Sequence, residues 1–102
     1  SQKIICLSSW RIKVMDGNTA ICVEGKRRDQ KGVVWHSSAV TERLARGRVR
    51  TMTGNVYELQ GNMETSCMEK EGFPARFIQR FTFGIPKRWK EYVEEFLQER
   101  QR

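Results

Sequence analysis

The chain has 102 residues, of which 10% are aromatic, and carries 19 Lys plus Arg against 12 Asp plus Glu for a formal net charge of +7. That length suits one domain over residues 1–102, and the aromatic content excludes a disordered tail. The positive field suits a nucleic acid, an acidic protein surface or an anionic membrane surface, while no apolar run reaches the ~18 residues that a membrane-spanning helix needs.

The first half reads as short strands. Trp10, Ile12 and Val14 alternate with Arg11, Lys13 and Met15, the period of a half-buried strand. Asp16-Gly17-Asn18 is a turn signal, and residues 19–25 supply the second arm of a hairpin. Residues 26–32 are polar and read as a loop, and residues 33–37 as a third, β-prone run. Residues 38–47 fit two readings. Ser38 suits the cap of a short helix with Val40 and Leu44 one turn apart, but the segment also suits a strand with an irregular end, which is the reading preferred here. Residues 47–61 form a second hairpin turning at Thr53-Gly54-Asn55. Together these segments predict a small antiparallel sheet or partial barrel.

Residues 62–71 read as a connection. Two Gly-x-Pro marks follow, Gly72-Phe73-Pro74 and Gly84-Ile85-Pro86. Pro74 suits a first helical turn, Phe77, Ile78 and Phe81 share a helical side though they also suit a strand in part, and Gly84 suits the position after a helix end. From Pro86 to Arg100 the apolar residues Trp89, Val93, Phe96 and Leu97 form one stripe, the strongest helical pattern in the chain. Lys87/Glu91 and Lys90/Glu94 are candidate ion pairs along that helix. The expected fold class is therefore mostly β with a C-terminal helix (α+β), the sheet packed by a helix at about 86–100.

Few residues offer chemistry. His36 is the only histidine, and its neighbour Ser37 faces the other side of a strand, so a nucleophile–base pair is not expected. Cys6, Cys22 and Cys67 contain no CxxC pair and lack the local spacing of a zinc site. Their odd number also argues against a disulfide-stapled secreted module and for a reducing compartment, with Cys22 as a small buried hydrophobe. No phosphate-cradling glycine loop is present. The chain reads as a non-enzyme with no cofactor, no metal and no small-molecule ligand.

Two groups of cations remain as a candidate contact surface: Lys26, Arg27, Arg28 and Lys31 in the predicted loop, and Arg43, Arg46, Arg48 and Arg50 further on. Residues 1–60 hold 11 basic and 5 acidic residues against 8 and 7 in the remainder, so the basic face is expected from the first half. Such cations bind phosphates without reading sequence. Trp10, Trp35, Tyr57 and Trp89 have the composition of a methyl-lysine cage, but each occupies a core-facing position and core is the expectation.

The closing pattern GFP-x(6)-F-x-F-G-I-P-x-x-W resembles the end signature of the SANTA (SANT-associated) domain, with Ile85 where the family places a second Phe. Ile5, Leu7 and Trp10 resemble its opening signature, and WHSS at 35–38, Arg43 and the series Thr51, Gly54, Tyr57, Leu59 and Gly61 are similar to its middle. The resemblance implies that Trp10, Trp35, Tyr57, Phe73, Pro74, Phe81, Gly84, Pro86 and Trp89 define the fold. It also implies a nuclear, centromere-associated module of the kinetochore-null or Mis-eighteen-binding type. Such proteins help license deposition of the centromeric histone H3 variant. The implied partners are the Mis-eighteen complex or centromeric nucleosomes, with DNA as the alternative. The chain opens on Ser-Gln rather than Met and is expected to be a fragment of a larger nuclear protein.

Overall fold

A computed structural model describes residues 3–101. Six strands come first: β1 (Ile4–Val14), β2 (Ile21–Arg27), β3 (Val34–His36), β4 (Val40–Ala45), β5 (Arg48–Thr51) and β6 (Val56–Leu59). Two helices follow, α1 (Ala75–Phe81) and α2 (Trp89–Arg100). The expected α+β class stands. The strands form one sheet in the order β3-β2-β1-β6-β5-β4. Four of its five neighbour pairs are antiparallel, but β1 runs parallel to β6, with Ile5 opposite Tyr57 and Leu7 opposite Leu59. The sheet is thus mixed where local reading expected only antiparallel pairs. Hairpins announce themselves through their turns, whereas a parallel pair joins segments far apart in the chain.

The two edge strands, β3 and β4, are consecutive in sequence and joined only by residues 37–39. So short a link forces the sheet to curl until its edges lie near each other, without hydrogen bonds closing it into a barrel. Ser37 secures the link, its N–H donating to the Val23 carbonyl at 2.9 Å and its Oγ accepting from the Val23 N–H at 3.0 Å. Residues 38–47 resolve as a strand, β4, with register irregularities near both ends.

β1 explains an odd spacing. Ile5 and Leu7 are buried, and so are Trp10 and Ile12, a change of parity within one strand. Ser9 sits at φ 49°, and the register with β2 shifts between Ser8 and Arg11. This bulge inserts one residue and returns apolar side chains to the same face. The i, i+2, i+5 spacing of Ile5, Leu7 and Trp10 is the sequence trace of that bulge.

The C-terminal third covers the curled sheet. Phe73 stacks on Phe96 at 4.8 Å between ring centroids, and Phe77 on Phe81 at 4.3 Å. Trp89, Val93, Phe96 and Leu97 are all buried, as their spacing predicts. Burying a large side chain of this kind stabilises by roughly 1.5–3 kcal/mol. Two helix starts differ from expectation. Pro74 (φ −70°, ψ 154°) is the N-cap of α1 rather than its first helical residue. Helix α2 begins at Trp89, and residues 86–88 form a preceding turn closed by the Trp89 N–H on the Pro86 carbonyl at 3.1 Å. Thr82 caps α1, its hydroxyl donating to the Ile78 carbonyl at 2.6 Å, so Gly84 lies one residue further on than expected.

Candidate interaction surfaces

The first expected cluster divides. β2 continues through Arg27, and strand alternation turns that side chain inward, where it is only 3% exposed. Its Nε and Nη2 donate to the two carboxylate oxygens of Asp29 at 2.8 and 2.6 Å. Those hydrogen bonds hold the Asp29 carboxyl below its ordinary pKa. The guanidinium carbon lies 4.7 Å from the Trp35 ring centroid, and the Trp35 indole donates to the Tyr57 hydroxyl at 3.0 Å. Arg27 is therefore a structural cation, and its place in an exposed contact surface is corrected. Lys26, Arg28 and Lys31 remain exposed, with Arg28 donating to Gln60 at 2.7 Å.

The second cluster divides too. Arg48 and Arg50 sit on β5 two residues apart, but register places Glu58 opposite Arg48 and Glu42 opposite Arg50. Arg48 pairs with Glu58 at 2.9 Å, and Arg50 pairs with Glu42. The expected basic stripe is a ladder of matched charges, which screens its field. Arg43 and Arg46 turn elsewhere. Arg43 Nε donates to the Ile85 carbonyl at 2.7 Å, and the Arg46 carbonyl accepts from the Ile85 N–H at 2.7 Å. The second Gly-x-Pro mark is thereby fastened to the end of β4. Gly84 (φ 131°) makes this approach possible, because a Cβ there would lie 2.7 Å from the Arg46 carbonyl oxygen.

At this junction a cleft of about 450 Å³ opens between Arg43 and Arg46 on one side and Arg80, Lys87 and Arg88 on the other. Lys90 joins Arg43, Lys87 and Arg88 around an adjoining cleft of about 500 Å³. The cations of residues 80–90 were missed as a site because each reads locally as a helix-surface charge. The signal available was Lys87-Arg88-x-Lys90 directly after the second mark. The expected Lys87/Glu91 and Lys90/Glu94 pairs do not form among the described residues. Instead, Arg88 takes Glu91 at 2.6 Å, and Arg76 takes Glu99 at 2.5 Å.

The remaining polar groups are structural. Glu24 has a side chain 9% exposed, held by Arg11 Nη2 at 2.5 Å and by His36 Nδ1 at 3.0 Å. Burial pushes its pKa up, but hydrogen bonds from Arg11 and His36 outweigh that and leave it below the ordinary value. Ser37 Oγ donates to the Ser38 carbonyl at 2.6 Å, so its hydroxyl is committed to backbone. Burial pushes the Cys22 thiol up. Among the described residues no three His, Cys, Asp or Glu side chains gather closely enough to hold a metal, and no helix is long and apolar enough to cross a membrane. Of the four rings of the cage composition, Trp10, Tyr57 and Trp89 are buried and Trp35 is half-buried. Phe73, Phe81 and Gly84 are buried as well, and Pro74 and Pro86 are half-buried.

Comparison with known proteins gives two positive findings. The family model SANTA (SANT Associated) matches residues 5–92. The matching relatives include the protein named Kinetochore null protein 2 from Caenorhabditis elegans, 26% identical over 103 residues. That alignment covers 98% of this chain and 12% of the relative, so the chain spans about an eighth of that protein's length. No solved structure matches the chain.

Proposed function

Because the chain belongs to the SANTA family, whose domains are non-catalytic protein-interaction modules, we propose that it serves centromere licensing. In this reading it is part of a larger nuclear protein that supports deposition of the centromeric histone H3 variant. Its partners are the Mis-eighteen proteins or centromeric nucleosomes. The observation that carries the reading is the alignment of almost the whole chain with Kinetochore null protein 2. A core filled by aromatic side chains, and exposed cations such as Lys26, Lys31 and Lys87 that meet no carboxylate among the described residues, support a docking body rather than a reactive one.

The test is titration of the chain with Mis-eighteen proteins, with nucleosomes carrying the centromeric histone, with ordinary nucleosomes, and with duplex DNA, each at two salt concentrations. The licensing reading expects saturable binding to one of the first two that exceeds binding to DNA and to ordinary nucleosomes. Equal binding to all four would remove it. A DNA-binding role is the second reading. It is favoured by the exposed Lys26, Arg28 and Lys31, none of which meets a carboxylate among the described residues. It expects Lys26→Glu with Arg28→Glu and Lys31→Glu to weaken duplex association and flatten its salt dependence.

A further inference from the structure

The cleft at the second Gly-x-Pro mark is unlike the other basic surfaces in three respects. First, four of its five cations are not neutralised, Arg88 alone among them pairing with Glu91. Arg46, Arg80 and Lys87 meet no carboxylate among the described residues, and Arg43 uses its Nε on a carbonyl, leaving its full charge uncompensated. Second, two of them are held in place. Arg80 stacks its guanidinium 4.1 Å from the Tyr92 ring centroid, and Arg43 is fixed by Ile85. Cations already ordered lose less conformational freedom when an anion arrives. Third, the cleft contains apolar surface. Phe83 is 66% exposed at its lip, and the half-buried Pro86 and Tyr92 line it.

Charge and shape together select the occupant. A nucleic-acid duplex presents a long, dense run of phosphates and gains from an extended cationic track. Here the track is short, and the adjoining cleft carries Glu42 and Glu91. Those carboxylates pair with Arg50 and Arg88, so beyond the four uncompensated cations a long polyanion would find only Lys90 and matched charges. A cavity of about 450 Å³ with an exposed ring at its edge instead suits one apolar side chain flanked by acidic ones. We propose that the cleft between the end of β4, the second Gly-x-Pro mark and the start of α2 docks an acidic peptide segment with an apolar anchor, contributed by the protein partner. This rests on the protein-interaction reading above and names the chemistry of the segment that the module takes.

The probe is a fluorescein-labelled Glu/Asp-rich peptide bearing one Phe, titrated into the chain at low and physiological salt, with amide shifts followed by NMR. Saturable binding is expected, with the largest shifts at Gly84, Ile85 and Tyr92. Arg80→Glu with Lys87→Glu should weaken it roughly tenfold, since each reversal at an exposed rim acts through screened attraction. Lys26→Glu with Lys31→Glu should leave it unchanged. Replacing the Phe of the probe by Ser should weaken binding while keeping the salt dependence. If the double reversal disturbs the fold, Arg80→Gln with Lys87→Gln serves in its place. Three outcomes of the titration overturn the proposal: no binding, equal loss from both charge-reversed pairs, or a duplex oligonucleotide that shifts the same amides more strongly than the peptide. Capture of a Mis-eighteen protein separates the two readings. Undiminished capture by the Arg80/Lys87 variant overturns the cleft and spares the licensing role. Peptide binding lost on reversal, with capture of neither a Mis-eighteen protein nor a centromeric nucleosome, supports the cleft and removes that role.

Discussion

The two Gly-x-Pro marks share a local sequence theme but join different layers. The first, at 72–74, ties helix to helix: Phe73 lies between Phe77 and Phe96, at 5.3 and 4.8 Å between centroids. The second, at 84–86, ties helix to sheet through main-chain atoms, with the Ile85 N–H on the Arg46 carbonyl and the Ile85 carbonyl on Arg43. One mark acts through a ring and the other through backbone. Only the second creates a cationic cleft, because only there does the end of a strand supply arginines.

Mutation can break this contrast or sharpen it. The largest effect is expected from Phe73→Ala, about 3–5 kcal/mol for a buried ring. Hydrogen exchange should show protection lost first in α1 and α2, and a uniform loss that includes the β4–β5 hairpin would break the distinction. Next comes Gly84→Ala, expected to cost about 2–4 kcal/mol through strain and a collision with the Arg46 carbonyl. At Gly72 (φ 95°) an added Cβ meets only the flexible end of Arg100, so Gly72→Ala should cost about 1–2 kcal/mol. Equal urea midpoints for the two glycine variants would show that the marks are equivalent after all.

Arg43→Ala should follow at about 1–2 kcal/mol, since a charged donor to Ile85 is lost at a half-exposed site. Arg43→Lys should recover little of it, because Lys cannot reproduce the planar fork. The smallest effect lies outside both marks and serves as a control. The Glu24 carboxyl has a lowered pKa in the folded chain relative to its ordinary 4.5. Its contribution is therefore fully present above about that pH and is lost as pH falls through the lower folded value. Unfolding midpoints measured from neutral to acid pH should fall less steeply below the ordinary value for Glu24→Gln than for the parent chain. Parallel profiles would remove Glu24 from the acid response.

Much of the fold was legible from sequence. The turn at Asp16–Asn18 declared itself because Gly17 and Asn18 tolerate positive φ. The stripe of α2 declared itself because helical spacing alone places Trp89, Val93, Phe96 and Leu97 on one side. Residues 38–47 were ambiguous because Val40 and Leu44 satisfy a helical period as readily as an extended one, and only pairing with β5 decides between them. The site was less legible. Alternation did imply an inward Arg27 once β2 was known to reach it, but the polar run at 26–32 disguised where the strand ended.

What the sequence determined by itself was the set of apolar faces and the turns between them, because these depend on neighbours a few residues away, together with the family, whose signatures are spread over residues 5–92. The tertiary structure decided which charges are neutralised and which converge. Glu58 reaches Arg48 only through sheet register, and Arg43 and Arg46 meet Arg80 and Lys87 only because the curled sheet brings the end of β4 against the second mark. Electrostatic character depends on distance in space, and local periodicity does not contain that distance.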